Sequence, residues 1–250
     1  VDDVLKKFAA FDICTSVTTD KSKAHIIFVR LQSMLDDHFL DQFNHLKIIA
    51  SPTTGWSHID ITAVQKRRIK LYTLRGESEF LKNITPTADL AFACILSSFT
   101  RLTVASHEIA HNHIFDRNNH FRNSFSDLRV GFIGMGRLGS IVSDYVHKVG
   151  GSSGYYDPYV DQMNSIYSTK VNSLEHLFNE YSLLSIHVVA NDLTNSLIKP
   201  YHLNINPPYY IVNTSRASIL PSTTIQTGFE QELLNQVYAD TLDEEPLNSP

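Results

Sequence analysis

A chain of 250 residues with 42% hydrophobic and 19% charged residues can bury a sizeable core, which excludes wholesale disorder. A formal net charge of −5 argues against a nucleic-acid partner, and two cysteines, Cys14 and Cys94, exclude a disulfide framework and fit a reducing, cytoplasmic setting. No apolar run is long enough to cross a membrane as a helix, so a membrane is not an expected partner either.

In chain order, residues 2–13 predict a short helix, and "AHIIFVR" (24–30) is an apolar run of strand length. A helix is expected through "LDDHFLDQF", a second strand over "LKIIAS" (46–51) and a turn at "PTTG" (52–55). "HIDITAVQKRRIK" predicts a third helix and "KLYTL" (70–74) a third strand. The basic run Lys66, Arg67, Arg68 and Lys70 reads as a solvated helix end, where cations suit the helix dipole. Thr85-Pro86 opens a helix, Pro being suited to the first turn, and it continues as "TADLAFACILSSFTRL". That helix is apolar on nearly every side, the pattern of one buried between domains or subunits. "HEIAHNH" is expected at its far end, and a polar segment, 116–127, follows.

From Leu128 the alternation resumes with a strand "LRVGFI", a helix "GRLGSIVSDYVHKVG" and a strand "SGYYD". A helix "SLEHLFNEY" and strands "SLLSIHVV" and "YYIVNTS" (209–215) come next, then a helix "TTIQTGFEQELL" and a last strand "QVYADTL". Strands alternating with helices predict an α/β fold with parallel sheets. The boundary falls just before the apolar helix, giving domains 1–84 and 85–250. One strand is irregular: "GGSSGYYD" is polar and glycine-rich where a central strand should be branched and apolar.

"GFIGMGRLG" holds Gly134, Gly136 and Gly139 as G-x-G-x-x-G, after a strand and opening a helix, which is the context the motif needs. The first glycine permits a tight turn, the second lets backbone approach a pyrophosphate, and the third lets helix and strand pack closely. Asp157 ends the next strand, 18 residues past Gly139, where a carboxylate would meet ribose hydroxyls and repel a 2′-phosphate. The expected cofactor is NAD rather than NADP.

"HEIAHNH" fits H-E-x-x-H with His107, Glu108 and His111, two imidazoles on one helical face beside a carboxylate, the signature of a zinc hydrolase. A third ligand is needed, and His113 lies only two positions past His111, on the wrong side of a helix. His120 and Asp116 have no characteristic spacing, so no metal site is expected.

With these motifs in order, the sequence resembles the D-isomer-specific 2-hydroxyacid dehydrogenases over roughly residues 24–247. "SPTTGWSHID" resembles the family's substrate-carboxylate loop, and "GESEFLKNITPTADLAFACILSSFTR" its hinge and dimer helix. "VGFIGMGRLG" and "YYDP" are similar to its dinucleotide fingerprint, and "LEHLFNEYSLLSIHVVANDLTNSLI" to the segment that follows. "IVNTSRASIL" resembles the strand bearing the catalytic arginine, and "ADTLDEEPL" the segment bearing the catalytic carboxylate.

The resemblance implies two Rossmann-like domains, a flavodoxin-like substrate domain and a NAD-binding domain, the first of them incomplete. It implies Arg216 and Glu245 as catalytic residues and Thr54, Gly55 and Arg216 as substrate-binding residues. The implied cofactor set is Gly134, Gly136, Arg137, Leu138, Gly139, Asp157, His187, Val188, Val189, Thr194, Thr214, Ser215 and Asp240. Read without it, Arg216 at a strand end can clamp a carboxylate or form a surface ion pair, Thr54–Gly55 can be a plain turn, and Glu245 a solvated carboxylate. Ala217 and Val189 stand where the family usually has glycine and proline.

The family's general acid/base histidine falls beyond Pro250, so the chain is expected to be truncated at both ends and inactive by itself. The expected activity is hydride transfer between NAD(H) and a small 2-hydroxy or 2-keto acid by a homodimer joined through the NAD-binding domain. The alternatives are a non-catalytic NAD(H)-sensing or scaffold protein on the same fold and, more remotely, the zinc hydrolase.

Overall fold

The computed structural model describes residues 18–30, 34–56, 58–112, 124–161 and 168–242. The chain divides into two compact units between Leu81 and Lys82. The helix expected over 2–13 lies outside the described residues.

The first unit holds a parallel sheet in the order β1 (Ile26–Phe28), β2 (Ile48–Ser51), β3 (Lys70–Thr73). Helices α1 (Asp37–Leu40) and α2 (Ile61–Lys66) form the crossovers. Each starts on an aspartate whose carboxylate accepts a first-turn N–H, Asp36 from Phe39 at 2.8 Å and Asp60 from Ala63 at 3.0 Å. Leu35, Leu40, Ile49, Ile59, Ala63, Val64 and Ile69 close the core between sheet and helices.

The basic run is not simply a solvated end. Arg67 donates to Asp37 and to Asp41, clipping the last turn of α2 to α1, and both carboxylates push its pKa up. Arg68 is left-handed, at φ 55°, and turns the chain into β3. A short helix, α3 (Ser78–Leu81), ends the unit.

The second unit opens on α4 (Pro86–Thr100), which buries Ala88, Ala91, Ile95 and Ser98 along one stripe. The sequence predicted one helix running into "HEIAHNH". Instead Arg101 adopts a left-handed φ of 53° and ends α4, and a separate helix, α5 (Leu102–His107), and a π-turn (Glu108–Asn112) carry the motif. Nothing in "SFTRL" announces that break, because arginine has no special tolerance for this conformation.

The remaining elements are β4 (Arg129–Ile133), α6 (Arg137–Lys148), β5 (Ser152–Tyr156), β6 (Ser168–Lys170), α7 (Leu174–Glu180), β7 (Leu183–Ile186), α8 (Pro200–Leu203), β8 (Tyr209–Asn213), α9 (Ser222–Glu230) and β9 (Leu234–Ala239). The strands form one parallel sheet ordered β6-β5-β4-β7-β8-β9. This is the doubly wound order, which reverses between β4 and β7, and ligands of such sheets bind outside the carboxyl ends of the strands at that reversal. One core cluster, around Leu177, Phe178, Ile186, Leu203 and Ile211, and another, around Ala91, Ile95, Phe132, Val142 and Val212, fill the space beside the sheet.

The polar strand β5 has a physical explanation. The hydroxyls of Ser143 on α6, Ser153 on β5 and Ser168 on β6 form a triangle with sides of 3.0, 2.8 and 2.6 Å. His147 Nε2 lies 3.1 and 3.3 Å from two of them, and its Nδ1 lies 2.9 Å from the Gly151 carbonyl. A carbonyl only accepts, so Nδ1 donates to Gly151. Gly154 is equally constrained, since a Cβ there would lie 2.4 Å from the Tyr181 hydroxyl oxygen. β6 has no counterpart among the expected strands, because its "STK" carries no apolar residue.

Candidate functional site

Loops at the carboxyl ends of β4, β5, β7, β8 and β9 bring together most of the residues singled out in the sequence. Gly134 leaves β4 with φ at +90°, and its N–H donates to the Tyr156 carbonyl at 2.9 Å. A Cβ on Gly134 would lie 2.7 Å from Val188 Cγ1, and one on Gly139 would lie 2.4 Å from the Gly134 carbonyl oxygen. These two glycines let α6 and β7 close against the loop. Gly136 differs, for a Cβ there would meet nothing within 4 Å. It caps α6 through its backbone alone, with no side-chain hydrogen bond. An open face at the uncapped start of a twelve-residue helix is the place for a pyrophosphate.

Arg137 follows as the first residue of α6. Its guanidinium donates to the Ile84 carbonyl at 2.8 Å, and Leu138 packs into the core beside α6.

Asp157 is nine-tenths buried at the end of β5. It accepts N–H bonds from Met135 at 2.8 Å, Tyr159 at 2.8 Å and Val160 at 3.2 Å. The bond to Met135 ties the acidic residue to the glycine loop itself. A carboxylate offers about four lone-pair sites, so capacity remains for a further donor.

His187 follows β7, its backbone N–H on the Ile133 carbonyl at 2.8 Å. Its Nε2 lies 2.8 Å from Ser185 Oγ, while Nδ1 is shut off from solvent and makes no hydrogen bond among the described residues. Burial holds its pKa down to about 4, so the ring is neutral at physiological pH and structural in character. Val188 packs on Gly134, and Val189 is exposed. Thr194 closes the loop beyond, donating to the Val189 carbonyl at 2.6 Å and accepting from Asn191 N–H at 2.9 Å.

At the end of β8, Thr214 is buried and its hydroxyl has no hydrogen-bond partner among the described residues. Ser215 donates to the Ile186 carbonyl at 2.9 Å, joining β8 to β7. Arg216 is half-buried and donates to the Ser215 carbonyl at 2.7 Å. Among the described residues no carboxylate pairs with it.

Sequence reading missed the residue that shapes this turn. Asn213 donates to the Arg216 carbonyl at 3.0 Å and accepts from Ser215 N–H at 3.1 Å. The signal was present, an Asn at a strand end two residues before a turn. Asp240 follows β9, exposed, with its N–H on the Asn213 carbonyl at 3.0 Å. Glu245 lies outside the described residues.

In the first unit, Thr54 is exposed and Gly55 half-buried in the loop after β2. Thr53, which sequence reading passed over, organises that loop. Its hydroxyl donates to the Gly55 carbonyl at 2.8 Å and lies 2.9 Å from Ser51 Oγ.

The imidazoles of His107 and His111 do meet, with ring centroids 4.5 Å apart, but both residues are exposed. Among the described residues no three metal-ligating side chains gather, there or elsewhere. His113, Asp116 and His120 lie outside the described residues.

The open face at Gly136, the uncapped helix start and the unpartnered Thr214 hydroxyl fit a bound NAD. The comparisons agree. Residues 92–250 match the D-isomer specific 2-hydroxyacid dehydrogenase NAD binding domain, and residues 3–93 match the catalytic domain of the same family. A glyoxylate reductase of Aeropyrum pernix is 25% identical over 90% of this chain and 68% of its own length. A D-3-phosphoglycerate dehydrogenase of Synechocystis sp. is 23% identical over 98% of this chain, which spans 44% of that relative. Among solved structures, the D-lactate dehydrogenase of Aquifex aeolicus, complexed with NAD and lactic acid, is similar with a TM-score of 0.82 at 21% identity, over 97% of this chain and 74% of its own. The NAD-dependent formate dehydrogenase of Staphylococcus aureus, in complex with NAD, gives 0.77 at 20% identity, over 92% and 68%. With both halves of the sequence matched, the chain belongs to the D-isomer specific 2-hydroxyacid dehydrogenase family.

Proposed function

We propose that the protein is an NAD-dependent oxidoreductase acting on the CH–OH group of a small 2-hydroxy acid, or reducing the matching 2-keto acid. The observation that carries this reading is Arg216, a half-buried guanidinium at a strand end beside the cofactor loops, its backbone fixed by Asn213. NAD supplies the hydride acceptor, and NADH the donor.

The chain's own residues bind, orient and neutralise. N–H groups at the start of α6 receive the pyrophosphate charge through the open side of Gly136. Asp157, already held by three backbone N–H groups, directs its remaining capacity to ribose hydroxyls and disfavours a 2′-phosphate. The Thr214 hydroxyl and Asp240 line the nicotinamide side, and His187, Val188 and Val189 form the floor under the glycine loop. Arg216 clamps a carboxylate through two parallel N–H bonds, and in the first unit the Thr54–Gly55 loop offers backbone N–H groups to a substrate carboxylate. Glu245 orients the histidine, beyond it in the family pattern, that takes or returns the hydroxyl proton.

In this reading residues 1–84 form the substrate domain and 85–250 the NAD-binding domain. The protein acts as a cytoplasmic homodimer, joined through the apolar helix α4 and the exposed Leu90 and Leu102.

Full-length protein assayed with NADH and a panel of 2-keto acids tests the reading. Turnover is expected, and Arg216→Gln lowers kcat/KM by about a hundredfold, the worth of a charge-assisted bidentate pair. NADH binding with no turnover of any 2-keto acid sinks it.

A further inference from the structure

Ligands of open parallel sheets bind beyond the carboxyl ends of the strands, and in the first unit that edge carries a feature the hydride-transfer site does not use. β2 ends at Ser51 and leads into the Thr54–Gly55 loop, while its neighbour β3 ends at Thr73. The two exits are tied together, because Leu74 N–H donates to the Thr53 carbonyl at 3.0 Å. Trp56 closes the first loop and Arg75 stands in the second. The Arg75 guanidinium lies over the Trp56 ring, 4.1 Å from its centroid.

Both partners are held from behind. Thr53 fixes the Trp56 side through Ser51 and the Gly55 carbonyl. Arg75 N–H donates to Thr73 Oγ1 at 3.3 Å, and Gly76, at φ +90°, turns the chain away immediately after. Arg67 of the same unit is saturated by Asp37 and Asp41, whereas among the described residues no carboxylate pairs with Arg75. Stacking occupies the face of a guanidinium and leaves its in-plane N–H groups aimed outward, the geometry that takes a carboxylate or a phosphate in two-point fashion. A cation so placed lies along the same edge as the loop proposed to hold the substrate carboxylate.

We propose that Arg75, oriented by Trp56, is a second anion-recognition point, and that the preferred substrates are 2-keto or 2-hydroxy acids bearing a further anionic group. This rests on the dehydrogenase reading above. The shared chemistry is a terminal carboxylate or phosphate at the end of the substrate remote from the carbonyl.

The test is kcat/KM of the full-length protein with NADH for glyoxylate and pyruvate, for oxaloacetate and 2-ketoglutarate, and for 3-phosphohydroxypyruvate. Arg75→Gln is expected to lower kcat/KM for the doubly anionic acids by about ten- to a hundredfold, mainly through KM, with the monoanions within about twofold. The larger loss, on the dicarboxylates or on the phosphate, identifies the second group. Trp56→Leu releases the guanidinium and gives a smaller loss of the same selectivity, while Arg75→Lys, which keeps charge without the flat fork, restores only part of it. Unchanged melting temperatures show that the variants fold. Turnover of monoanions with no selective loss in Arg75→Gln overturns the subsite alone. No turnover of any 2-keto acid, with NADH bound, overturns the dehydrogenase reading and the subsite with it.

Discussion

The loop Gly134–Gly139 and the turn His107–His111 both match a chemical motif letter for letter, and they stand in opposite environments. Around Gly134 and Gly139 the neighbours are committed. Val188 and the Gly134 carbonyl leave no room for a Cβ at Gly134 or Gly139, and Asp157 reaches back to the Met135 N–H. Around the histidines there is solvent, and their rings rest on each other rather than on a third ligand. A motif acquires its chemistry when remote segments close around it. Spacing along the chain brings two or three side chains onto one face, but the further partners come from strands far away in sequence.

The contrast can be broken most forcefully at Gly139. Gly139→Val pushes a side chain into backbone and is expected to cost about 3 kcal/mol or more in thermal or urea unfolding. Gly136→Ala, with open space around it, is expected to leave the melting temperature alone while weakening NAD binding about tenfold, one hydrogen-bonding approach lost. Equal stability of the two variants would mean that the loop is not packed as described.

A second, intermediate effect concerns His187, which belongs to the packed region. Burial lowers its pKa to about 4, and burial also lowers that of His202. Unfolded, both titrate near their ordinary value of about 6.5. Below that pH the unfolded chain binds protons that the folded chain refuses, so stability falls as pH drops from about 6.5 towards 4. The loss expected from His187 is on the order of 2 kcal/mol. Urea titrations at several pH values measure it, and His187→Asn should flatten the slope.

The smallest effect is expected at the exposed motif. His107→Ala with His111→Ala should change stability by no more than about 0.5 kcal/mol. Metal analysis after chelation should find no stoichiometric zinc in the parent protein. Retained zinc would place the histidines on the same footing as the glycine loop.

The parallel sheets and their order of elements were legible because alternating apolar runs and turn residues are local signals. So were the positions of Gly134, Asp157 and Arg216 just past the ends of β4, β5 and β8, and of Gly136 and Gly139 at the start of α6. Other features depend on distant partners. The Arg67 clip joins residues 26 and 30 positions apart. Asn213 and Thr53, by contrast, bond carbonyls only three and two residues away, a local turn signal that was present and passed over. The break at Arg101 and the edge strand β6 went unseen, the first for want of glycine, the second because three polar residues carry no periodicity.

The serine triangle also has a consequence for how the sheet assembles. The edge strand β6, reading Ser-Thr-Lys, offers no hydrophobic code to fix its alignment, and a slip of one residue turns each side chain to the opposite face. Ser153 and Ser168 are direct cross-strand partners, and both hydroxyls meet Ser143 and His147. A slipped β6 would withdraw the Ser168 hydroxyl from Ser143, Ser153 and His147, at about 0.5–1.5 kcal/mol for each hydrogen bond lost. Hydrogen bonds thus proofread the outer edge of this sheet, a task that apolar packing performs along its centre.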